Sequence, residues 1–141
     1  HVNEYTGWDN PTFTFTDSYL SGSYSNADVR TTSALDSHVW FAATKNSGLK
    51  ISGFSTTGYT NLKLSYSIAA NAKSVDQNVI QVKCDSTLMI VPSVVFSAVN
   101  AYQTVELSNV HVNTTSIEFI SSAETNTVGY RVDNVKLVGT K

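Results

Sequence analysis

Apolar and polar residues alternate with period two along much of this chain. Leu62, Leu64, Tyr66 and Ile68 are separated by Lys63, Ser65 and Ser67. Such alternation places one set of side chains on the buried face of a β-strand and the other in water. Thr12-Phe13-Thr14-Phe15-Thr16 repeats the pattern. His38 to Ala43 reads as a strand with Trp40 on one face and Val39 and Phe41 on the other. Leu49-Lys50-Ile51 is another, closed by Gly53. Val79 to Cys84 and Thr87 to Val91 predict a hairpin around Asp85-Ser86, and Pro92 keeps the following residues out of a central strand. Val105 with Leu107, Ile117 with Phe119, and a last run from about Val128 to Val138 complete the set. Ser18 to Thr32 reads as loop, with at most a short strand near Asp28 to Thr31.

Roughly nine to ten short strands at regular spacing, with turn residues between them, predict an all-β fold. The expected architecture is a β-sandwich jelly roll of two antiparallel sheets. It forms a single domain over residues 1–141, with no helix, internal repeat or linker. Composition agrees. Ser, Thr and Asn number 19, 17 and 12, and Val 17, so polarity comes from short uncharged side chains. Thr, Val, Tyr and Phe suit a pleated, half-buried surface, while Ser, Asn and Gly suit turns.

Charge narrows the function. Charged residues are 14% of the chain and the net charge is −2. A nucleic-acid partner needs a basic surface, and none is supplied. No apolar run is long enough for a membrane-spanning helix. The lone Cys84 reads as a small core hydrophobe. The acids are scattered singly, and His1, His38 and His111 lack zinc-ligand spacing. No phosphate loop or nucleophile elbow is present. These absences predict a non-enzyme. The first residue, His1, predicts a processed protein or a module cut from a longer chain.

Two segments carry a family signal. One is Asn46-Ser47-Gly48-Leu49-Lys50-Ile51-Ser52-Gly53-Phe54, followed by Gly58-Tyr59-Thr60-Asn61-Leu62-Lys63-Leu64-Ser65-Tyr66-Ser67. The other is the terminal Gly129-Tyr130-Arg131-Val132-Asp133-Asn134-Val135-Lys136-Leu137. In this order they resemble the jelly-roll carbohydrate-binding modules of secreted bacterial glycanases, similar to families 4, 9 and 22 and to galactose-binding-like domains. The resemblance implies a non-catalytic, monomeric module on the bacterial surface or outside the cell. Its partner would be a plant cell-wall type polysaccharide, xylan or a β-glucan first, and it would target a linked glycoside hydrolase. The alternative is a structural or adhesion β-sandwich of a cell-surface protein.

Asp133 draws attention for itself. Val135 and Leu137 share its face by simple alternation, and a carboxylate on a buried face must be paired, hydrogen-bonded or on a metal. Arg131 or Lys136 would supply a salt bridge. The resemblance implies instead a structural calcium, held by Asp133, with Asp17 as a weaker second ligand, and by backbone carbonyls. Hard oxygen ligands suit that ion.

Sugars present apolar C–H faces ringed by hydroxyls, so the gripping surface is a flat aromatic ring with short polar side chains. Phe13, Phe15, Phe41, Tyr66 and Phe119 read as core. Trp8, in a loop of chain-breaking residues, either contacts ligand or packs under its loop. Trp40 shares a face with His38 and stands equally for groove or core. Tyr102, Tyr24 and Tyr59 lie in or beside polar segments, Tyr19 likewise. Gln81 projects away from the Ile80 and Val82 side. The expected ligand set is therefore Trp8, Trp40, Tyr102, Tyr24, Tyr59 and Gln81.

Overall fold

The strongest alternation in the sequence becomes the strand at the centre of the fold. In a computed structural model that describes residues 1–20, 22–33 and 36–141, Thr60–Ala70 is a strand that buries Leu62, Leu64, Tyr66 and Ile68. The strands in chain order are β1 (Thr14–Thr16), β2 (Ala27–Ser33), β3 (Asp36–Phe41), β4 (Ser47–Ser52) and β5 (Thr60–Ala70), then β6 (Gln81–Cys84), β7 (Thr87–Leu88), β8 (Gln103–Val110), β9 (Ser116–Ser121) and β10 (Tyr130–Thr140). They form two five-stranded antiparallel sheets, ordered β1-β4-β9-β6-β7 and β2-β3-β10-β5-β8. This is the predicted jelly-roll sandwich. The helical content of the described residues is one short 3-10 turn, Gln77–Val79, capped by the Asp76 side chain.

The core lies between the sheets. Leu49, Ile51, Val82, Ile117 and Phe119 face it from the first sheet, and Val39, Phe41, Leu64, Tyr66 and Val132 from the second. Tyr66 meets Phe119 edge to face at 4.9 Å, joining the layers. Each such buried side chain contributes about 2–3 kcal/mol from apolar area. Cys84 is buried here as a free thiol, and burial, with Asp85 beside it, pushes its pKa up to about 11. The predicted hairpin forms around Asp85, which takes a positive φ of 51°.

Two local departures have physical causes. The polar stretch from Ser18 to Thr32 forms a strand near Asp28 to Thr31 as anticipated, but a longer one: β2 spans seven residues and, among the described residues, is an edge strand paired with β3. Its inward residues are Ala27 and Val29, too few for a clear period-two signal. The second departure is in β10. Its pairing with β5 runs Val132↔Ile68 and Asp133↔Ser67, then slips and resumes at Lys136↔Ser65. Asn134 sits in the slip at φ 53°, a left-handed conformation that Asn tolerates. The bulge inverts the alternation. Val132, Val135 and Leu137 pack against the core, while Asp133 is half-buried opposite Ser67. Asp133 therefore does not share an inward face with Val135 and Leu137, as simple alternation predicts.

Asn126 closes one end of the sandwich. Its side chain is fully buried. The amide nitrogen donates to Phe41 O (3.1 Å), Ala42 O (3.3 Å) and Ser121 Oγ (2.9 Å), and the amide oxygen accepts from Val128 N (3.3 Å) and Gly129 N (2.8 Å). It thus fastens the ends of β3 and β9 to the start of β10.

Candidate functional site

The second sheet splits. Among the described residues β10 pairs with β3 only from Tyr130 to Val132, then follows β5 to Thr140, while β3 stays with β2. The diverging edges open a cleft of about 680 Å³, within the range of roughly 300–1,000 Å³ typical of ligand sites. Val29 and Val39 line one wall, Val135 and Leu137 the other, and Leu49 and Ile117 of the opposite sheet form the floor.

Aromatic rings gather around this opening. The segment before β1 folds across it, and Trp8 stacks on Phe15 with centroids 4.0 Å apart and planes 6° from parallel. Tyr5 stands perpendicular to Trp8 with centroids 5.1 Å apart and lies over Gly7, where an added Cβ would come within 2.4 Å of the phenol oxygen. Phe13 packs on Phe54 at 5.6 Å. Tyr59 lines the far side, half-exposed, with the Lys141 ammonium over its ring. Asp9, Asn10, Ser55, Asp133, Asn134 and Lys136 add polar groups. The cleft offers apolar ring surface together with short hydrogen-bonding side chains, the combination that a saccharide requires.

The architecture has counterparts of known structure. TmCBM61, solved with β-1,4-galactotriose, superposes with a TM-score of 0.53 at 12% identity, over 94% of this chain and 97% of that one. The CBM22-1 xylan-binding domain of Xyn10C from Paenibacillus barcinonensis gives 0.53 at 11%, over 90% and 86%. A family 16 carbohydrate-binding module, module 2, gives 0.51 at 13%, over 81% and 86%. The fold is the jelly roll of carbohydrate-binding modules. At these identities the likeness is one of fold. No known family matches the sequence, and no curated protein matches it either.

Of the six ring and polar residues singled out by sequence, this jelly roll brings Trp8 and Tyr59 to the cleft. The other four lie elsewhere. Trp40 stands half-buried on the outward face of β3, over Gly129. Tyr102 is exposed just before β8. Tyr24 is exposed and tilts against the His1 ring at 4.8 Å. Gln81 is exposed at the start of β6. Tyr5 and Phe54 also line the cleft and were not singled out. The sequence signal for Tyr5 is its place across Gly7 from Trp8.

Asp17 and Asp133 do not meet. Asp17 follows β1 in the first sheet, 2% exposed, and accepts from Ser25 Oγ (2.6 Å) and Tyr19 N (2.8 Å). Asp133 belongs to β10 in the other sheet and accepts from Asn134 N at 2.7 Å. Among the described residues no three His, Cys, Asp or Glu side chains converge as a metal group. The two acids therefore stand in different sheets, and a calcium ion at either of them would depend on backbone carbonyls for its other ligands. An ion held at either acid should raise the melting midpoint by several degrees in excess calcium relative to chelator, and equal midpoints would remove it.

Five groups away from the cleft have displaced protonation. Burial raises Asp85, but hydrogen bonds from Thr115 and Ser116 outweigh it and lower its pKa. His111 is held up by the carbonyls of Val112 and Cys84, with Asp85 adding to them. Asp76 is lowered, its burial outweighed by donors from Ser93, Asn78, Val94 and Gln77. Burial raises Tyr66, and raises Tyr130 to about 12 with help from Asp76. None of these residues lines the cleft.

Proposed function

We propose that this domain is a non-catalytic module that binds a polysaccharide in the cleft. The favoured ligand is of plant cell-wall type, xylan or a β-glucan first. In this reading the module is secreted or displayed on a bacterial surface, works as a monomer, and holds a linked glycoside hydrolase on its substrate by raising effective concentration. The observation that carries the reading is the ring-lined opening, where Trp8 and Tyr59 border a cavity with a polar rim. The folds it resembles include one solved with β-1,4-galactotriose and one named xylan-binding. A non-catalytic role is supported by the solved structures the fold resembles, which are carbohydrate-binding modules.

Affinity electrophoresis through gels containing single polysaccharides tests this. Retardation by xylan or a β-glucan is expected. Free migration through every glycan of a broad panel would remove the proposal. One observation favours a second reading, an adhesion or structural module. Leu88, Ile90, Val94, Val95 and Val99 are exposed, within a stretch from Asp85 to Glu106 that has no charged residue between those two. Exposed aliphatic surface of this kind marks contact with another protein.

A further inference from the structure

Trp40 is excluded from the cleft, yet it is not a plain surface residue. On the outward face of the second sheet it stands opposite Asp28 of β2 and Arg131 of β10. The Arg131 guanidinium carbon is 5.7 Å from the indole centroid, and that of Arg30 is 5.3 Å away. The ring lies over Gly129, where an added Cβ would come within 2.2 Å of it. Gly129 has φ 90° as well, so the seat is reserved for glycine on two counts.

The two arginines differ in their partners. Arg30 pairs with Asp28 at 3.4 Å, and the same Asp28 carboxylate lies 3.3 Å from the His1 ring. Arg131 forms no ion pair among the described residues. Its Nε is shielded from solvent and lacks a hydrogen-bond partner. A donor sealed from water with no acceptor is costly, and here it belongs to a full charge beside an indole. The sealed Nε cannot itself meet a ligand, but the two terminal nitrogens are not among the sealed, unpartnered atoms, and their edge of the planar fork fits a carboxylate with two parallel bonds.

We propose that Trp40 and Arg131, with Arg30 at the flank, form a second saccharide site selective for a uronic acid residue. The indole takes the apolar face of the sugar, and Arg131 takes its carboxylate. A small inorganic anion matches the guanidinium but has no face for the ring, and a neutral sugar matches the ring but leaves the charge unpaired. The site is separate from the cleft, so it stands or falls independently of the reading above.

The chain contains two tryptophans, and Trp8→Phe leaves Trp40 as the sole indole reporter. Titrating this variant with an oligogalacturonate should change its fluorescence saturably. A neutral xylo-oligosaccharide of equal length and sodium sulfate should each leave it unchanged. Arg131→Gln should weaken binding by about tenfold or more, Arg131→Lys less, since a point charge replaces the fork. Arg30→Gln, farther from the sealed Nε, serves if Arg131→Gln fails to fold and should also weaken binding. The proposal is overturned by no saturable response to uronate, by a folded Arg131→Gln or Arg30→Gln that binds like the parent, or by equal response to the neutral sugar. A sulfated neutral oligosaccharide that binds where uronate does not would overturn it too. Loss of gel retardation by neutral glycans alone would speak only against the cleft.

Discussion

Asn126→Ala is expected to destabilise the domain by about 3–5 kcal/mol, the largest effect of any single polar substitution considered. The Asn126 side chain makes five hydrogen bonds in a fully buried position. Alanine removes the partner but leaves the groups it satisfied, and an orphaned buried donor or acceptor costs roughly 1–3 kcal/mol. The bonded groups belong to β3, β9 and the approach to β10, so the loss unfastens both sheets at one end. Asn126→Asp should be nearly as damaging, because a carboxylate cannot donate to Phe41 O, Ala42 O or Ser121 Oγ. Urea unfolding measures this as a lowered midpoint with unchanged slope. A shift worth under about 1 kcal/mol would show that water replaces the side chain and that the end of the sandwich is not held there.

The second large effect concerns binding. Trp8→Ala is expected to weaken retention by the glycan that the parent binds by roughly tenfold to a hundredfold, as loss of a stacking anchor does. Phe15 stacks on the indole and Tyr5 stands perpendicular to it, so the ring is held rigidly where it lines the cleft. The same contacts make some loss of stability unavoidable, about 1–2 kcal/mol for a half-buried ring. Retention should therefore be compared at a temperature where both proteins are folded. Trp8→Phe should recover part of the affinity, because a flat ring of smaller area remains. Trp40→Phe should leave retention by a neutral glycan unchanged. If Trp8→Ala is retained like the parent while folded, the cleft is not where that polysaccharide binds.

The fold was legible because its strongest signals are local. β5, β9 and β10 carry apolar residues on one side, and a strand can bury that side only against a second layer. The candidate site was less legible. A loop tryptophan was visible as an oddity, but whether Trp8 faced ligand or packed under its own loop depended on Phe15, seven residues away, and on Tyr5 across Gly7. The facing of Asp133 departs from simple alternation for a related reason. One extra residue in a strand is invisible to a period-two count, yet it reverses the facing of every side chain beyond it. β2 was read mainly as loop because an edge strand that offers only Ala27 and Val29 to the core has almost no alternation to show.

By itself the sequence determined the class of fold, the central strands, the buried rings Phe41, Tyr66 and Phe119, and the absence of a basic surface. All of these follow from side-chain chemistry repeated at short range. Only the tertiary structure decided where the sheet opens, which rings share that opening, that Asp17 and Asp133 stand apart, and that Arg30 and Arg131 flank Trp40. Those relations join residues far apart in the chain. They are set by strand order and by one bulge, which no local pattern encodes.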